Sequence, residues 1–197
     1  MTEFKKRNIL ILGTTYPTYS NTYTENVCTG GIEEGTYEMV RLYPIPFRYL
    51  DGSKRFHAFQ WIKVRAKKHD TDTRPESLRI DPDSIQLGGR VASHKERRAV
   101  LENSPHLCRS VEELKARQKS RGTSMGIIIP KRIDGVDIRA QGPQARREWE
   151  AKKKALLARG HLWGEKLKDL DFPDLKFFVR WQCDDEECKG HQMNLHQ

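Results

Sequence analysis

The run Lys176-Phe177-Phe178-Val179-Arg180-Trp181-Gln182 constrains the fold most. Phe177, Val179 and Trp181 alternate with Arg180 and Gln182 at the two-residue period of a strand with one face buried. Such a strand needs a sheet and a core, and this one leads directly into Cys183. From there the chain reads C-x4-C-x2-H-x4-H through Cys188, His191 and His196. Thiolate and imidazole are the ligands of tetrahedral Zn²⁺, the gaps lie near the common ranges, and Gly190 permits a tight turn between Cys188 and His191. Cys183, Cys188, His191 and His196 are therefore the candidate ligands of a structural zinc hook, because four protein ligands leave no open position. The competing reading is an acidic β-turn between two strands with incidental cysteines.

Only 36% of the 197 residues are apolar and 32% are charged, which implies a modest core. No run of 18 apolar residues occurs and the N-terminus lacks the apolar stretch of a signal peptide, so the expectation is a cytoplasmic protein without a membrane span. In that setting the four cysteines do not read as a disulfide framework. Thirty-six Lys and Arg against 27 Asp and Glu leave a formal charge of +9, which favours polyanionic partners through long-range attraction and counterion release.

Along the chain, Asn8 to Gly13, Tyr37 to Pro44 and Phe59 to Lys68 read as strands, the last with a change of face that predicts a β-bulge near Trp61. The polar, aromatic segment from Thr14 to Tyr23 has neither period and reads as an ordered loop. From Ser93 the pattern turns helical. Ser93 caps a basic helix over 94–102, Ser110 and Glu113 form a capping box for a helix to about Lys119, and Gly142-Pro143 opens the longest helix, with Gly160 beyond its end. Trp149, Leu156 and Leu157 mark the inner side of that helix. A further strand is expected between Ser124 and Pro130. The fold class is accordingly α+β in a single domain over 1–197: a β-rich part to about residue 92, a basic helical middle, and a C-terminal strand ending in the zinc hook.

Two basic stretches carry the binding hypothesis. Arg41, Tyr43, Phe47 and Arg48 interleave cations with aromatics, as grooves for single-stranded nucleic acid do. Arg146, Arg147, Lys153 and Lys154 line the long helix as phosphate contacts, although a solvated helix face and an ordinary sheet core explain the same patterns. The competing classes are enzymes and interaction subunits. A divalent metal among Asp70, Asp72, Glu76, Asp81 and Asp83 would make a nuclease, and Cys28 before Gly30-Gly31, with His57 approaching, would make a nucleophile. A basic face meeting an acidic protein partner is the third reading. No phosphate-binding Gly-rich loop, H-E-x-x-H or G-x-S-x-G occurs.

The stretches Thr15-Tyr16-Pro17, Val27-Cys28-Thr29-Gly30-Gly31-Ile32, residues Val40 to Arg48, Arg74-Pro75-Glu76-Ser77 and the terminal Cys-Asp-Asp…Cys-Lys-Gly-His resemble a family of uncharacterised bacterial proteins. The resemblance spans roughly the first 80 and last 20 residues. It implies a bacterial intracellular protein and assigns no catalytic residue.

Overall fold

The computed structural model describes residues 3–20, 24–158 and 168–195. The continuous apolar run Ile9 to Leu12 builds β1 (Lys5–Thr14), which is followed by a small hairpin of β2 (Thr18–Ser20) and β3 (Thr24–Asn26), then β4 (Thr29–Glu33), β5 (Met39–Leu42), β6 (Gln60–Lys68) and β7 (Ser77–Arg90). Five of these close into a barrel in the order β1-β4-β5-β7-β6. Every pairing is antiparallel except β5 with β7. Counting only barrel strands, the order is 1-2-3-5-4, the Greek-key connectivity of the OB fold. The inward residues Ile9, Ile11, Val40, Leu42, Ile62, Val64, Ala66, Leu78 and Ile80 form the core, and the β5–β6 connection adds Ile45, Leu50 and Phe56. Gly31 lets β4 approach β1 closely, since a Cβ there would lie 2.6 Å from Ile9 Cγ2.

The expected bulge is present: the β6–β7 register shifts between Gln60 and Ile62. A second shift, between Lys63 and Arg65, leaves residues 82–85 without counterparts on β6, and this is how a strand as long as β7 accommodates Pro82. The segment expected to be an ordered loop, Thr14 to Tyr23, instead contributes β2, which pairs with β3 just beyond it. Its local sequence has no strand period. Burial of Tyr19 against Trp149, with ring centroids 5.2 Å apart, fixes it from outside.

The second half contains α1 (His94–Glu102), β8 (Leu107–Cys108), α2 (Val111–Arg121), β9 (Ile127–Ile128), β10 (Arg132–Ala140), α3 (Pro143–Ala158), β11 (Leu175–Gln182) and β12 (His191–Leu195). The caps act as expected. Ser93 accepts from the Glu96 amide and Ser110 from the Glu113 amide, while Glu113 reaches back to the Arg109 amide and Gly122 ends α2 in the left-handed region. β9 is shorter than the strand expected over 124–130 and pairs in parallel with β8. On α3, Trp149 is half-buried and Leu156 buried, but Leu157 is exposed, contrary to expectation. At about 100° per residue, Leu156 falls within roughly 20° of Trp149 whereas Leu157 lies about 80° away. Gly160 lies outside the described residues.

The two halves are joined by specific contacts. Outward-facing Leu10, Ile32 and Met39 on the β1–β4–β5 surface are buried. Ser104 Oγ donates to the Tyr37 carbonyl, His106 meets Glu38, Ser124 binds Glu76, and a Cβ on Gly30 would lie 3.1 Å from Met125. The chain from Ser104 to Met125 thus lies over the barrel face that OB folds use for oligonucleotides.

Candidate functional site

The β11–β12 hairpin brings three of the four predicted ligands together. Cys183 follows directly on β11, Cys188 lies in the turn, and His191 opens β12 directly opposite Trp181. His191 Nε2 is 3.2 Å from Cys183 Sγ and 3.3 Å from Cys188 Sγ. Ligands 2.3 Å and 2.0–2.1 Å from a tetrahedral zinc would lie about 3.5 Å apart, so these side chains already converge on the geometry of a shared ion. Among the described residues this is the one group of three or more that could hold a metal. Gly190, at φ +92°, makes the turn. Burial pushes the Cys183 thiol up, while the Gly190 amide draws Cys188 down. The Val111 amide at the start of α2 also favours the Cys183 thiolate, tying that helix to the hook. His196 lies outside the described residues.

A second polar cluster sits where β4, β5 and the β6–β7 loop meet. Arg41 projects outward from β5, opposite Gly30, with Nε 3.1 Å from Cys28 Sγ and Nη1 2.6 Å from Asp72. Asp72 also accepts from Arg74 Nε and Nη2, both at 2.8 Å, and from Ser77 Oγ at 2.6 Å. Arg74 holds the Asp72 carboxyl far below the usual carboxylate range, and Ser77 adds to the effect. Arg41 further stacks over Tyr43 at 4.5 Å. Sequence reasoning singled out Arg41 but missed Ser77 and Asp72 as its partners; the stiff Arg74-Pro75 turn that returns Asp72 to β5 was the available signal.

The rest of the 41–49 segment is also engaged within the protein. Phe47 packs edge-on to Phe56 at 5.0 Å, and Arg48 donates to the Lys168 and Asp169 carbonyls. The carboxylates considered for a nuclease do not converge. Asp70 pairs with Lys67, Asp81 with Arg65, Asp83 with Lys54, and Glu76 binds Ser124. Cys28 contacts Arg41, and His57 is exposed.

On α3, Arg146 pairs with Asp174 and Lys153 with Asp169. Arg147 and Lys154 are exposed, and neither makes an ion pair among the described residues. Seven residues apart, they lie opposite the Trp149–Leu156 stripe. Residues 93–159 carry seventeen Lys and Arg against eight Asp and Glu, an excess of nine that equals the net charge of the whole chain.

No described helix is long and apolar enough to cross a membrane. No curated protein and no solved structure matches the chain. Residues 107–197 match the model of a domain of unknown function (DUF8757), and residues 5–103 match that of another (DUF8758). The second match takes in the whole barrel and just over half of the sequence, and on that ground the chain belongs to the DUF8758 family.

Proposed function

We propose that this protein binds nucleic acid through sequence-independent phosphate contacts made by the basic surface of residues 93–159, with Arg147 and Lys154 of α3 at its centre. The observation that carries this reading is the placement of charge. An excess equal to the chain's whole net charge lies in one segment, and two exposed cations of α3, Arg147 and Lys154, have no carboxylate partner among the described residues. Arg41 and Arg48 serve as internal anchors in this account, because their guanidinium groups already bind Asp72 and the 168–169 carbonyls. The barrel is then a scaffold whose oligonucleotide face is covered by the protein's own second half.

Zinc, held by Cys183, Cys188, His191 and His196, would fix the β11–β12 hairpin and its link to α2, a structural role. The anchoring contacts across the halves, Tyr19 to Leu170 and Glu76 to Ser124, support folding as one unit. The test of function is equilibrium binding to labelled single-stranded and duplex DNA and RNA over a salt series. Exchanging Arg147 and Lys154 for Ala should lower affinity on every sequence and flatten the log–log salt slope by about 0.7 to 0.9 for each phosphate no longer neutralised.

A further inference from the structure

The sheet β10-β11-β12 presents an apolar face that no core cluster of the described residues covers. In register, Ile138 lies beside Phe177 and Leu195, Val136 beside Val179 and Met193, and Trp181 between Ile133 and His191. With Leu175, which lies beside Ala140 on the same face, six of its side chains remain open to solvent: Ile133 at 63%, Ile138 at 60%, Val136 at 57%, Met193 at 50%, Leu175 at 46% and Leu195 at 39%. The reverse face is polar and internally paired, with Asp137 bridging Arg139, Arg180 and Gln192. The sheet is therefore amphipathic, and its apolar side is open to solvent as well as its polar one.

We infer that this face is the interface of a homodimer, in which the three-stranded sheets of two chains stack face to face about a two-fold axis. Area is the first argument. The open apolar side chains amount to about 600 Å², the upper end of the largest patch a monomer ordinarily exposes. With the half-buried Phe177, Val179 and Trp181 the face approaches the roughly 800 Å² per partner of a stable interface. Chemistry is the second. The face carries no Lys, Arg, Asp or Glu, so it offers no charge partner to a phosphate backbone or to a charged peptide. An uncharged sheet face is complementary to itself, and two such faces pack about 10 Å apart as in a β-sandwich. The interface rests on different residues from the α3 surface and does not depend on nucleic-acid binding.

The test is sedimentation equilibrium of the full chain, purified without chelator, over roughly 1 to 100 μM. The wild type should show twice the chain mass, and Val136→Lys or Met193→Lys should weaken association at least tenfold with an unchanged far-UV circular dichroism spectrum. Two variants on different strands guard against one failing to fold. Lys176→Glu, on the reverse face, should leave the dimer intact. A wild type that stays monomeric at the top of the range, or a dimer that survives both apolar-face variants, overturns the inference; the first result would assign the face to a different protein.

Discussion

Replacing Asp72 with Ala removes the carboxylate on which two arginines and Ser77 converge. The Asp72 and Arg41 side chains are only 12% and 13% exposed, so the substitution strands a largely desolvated guanidinium beside a second one. Breaking a buried pair from one side costs about 3–5 kcal/mol. Arg74 is 40% exposed and can turn to water, which places the expected loss near the low end, at about 3 kcal/mol. For a chain of this size that corresponds to a fall in Tm of roughly 6–12 °C. Thermal melts of wild type, Asp72→Ala, Arg41→Met and the double variant close a cycle whose coupling should exceed about 1 kcal/mol. Nucleic-acid affinity, measured below the melting range, should barely change in Arg41→Met. A drop in Tm of under a degree with additive single effects would refute the anchoring role of this network, and a large affinity loss without destabilisation would return Arg41 to the binding surface.

The same network sets an acid limit. Because the Asp72 carboxyl is depressed in the folded state, its contribution is complete above the unfolded value near about 3.9 and is lost as pH falls below it, so urea melts between pH 7 and 3 should lose this part only at the acid end, and Asp72→Asn should flatten that limb. Protein purified without chelator should contain one zinc per chain, and Cys188→Ala or chelation should lower Tm while loosening the β11–β12 hairpin in hydrogen exchange; a metal-free preparation with an unchanged Tm would remove the zinc reading. Leu156→Ala should cost about 2–4 kcal/mol and Leu157→Ala no more than about 0.5 kcal/mol. A single calorimetric transition is expected if the two halves fold as one unit, and two resolved transitions would separate them.

What could be read from the sequence was what is encoded locally. The cap at Ser93, the capping box at Ser110, the alternation of β6 and β11, and the bulge at Trp61 depend on neighbouring residues, and the structure has each of them in place. The ligand spacing of the hook was equally local, and three of its four members meet. What escaped depends on distant partners. Pro82 disguised β7, because only pairing with β6 shows that residues 82–85 can stand outside the ladder. The β2–β3 hairpin takes its shape from Trp149, more than a hundred residues away. Arg41 and Arg48 were read by composition, which reports that a cation is present but not that Asp72 or a carbonyl already holds it. Barrel closure follows from five strands in non-sequential order, which no single segment encodes.

The central claim is that an exposed basic surface centred on α3 binds phosphates. Its most direct test is the dissociation constant of wild type and of the Arg147→Ala, Lys154→Ala double variant for single-stranded and duplex DNA and RNA between about 50 and 200 mM salt. Binding should weaken steeply with salt, and the double variant's log–log slope should be shallower by about 1.4 to 1.8 at an unchanged Tm. Weak, salt-insensitive binding by the wild type, or identical slopes for the two proteins, would contradict it.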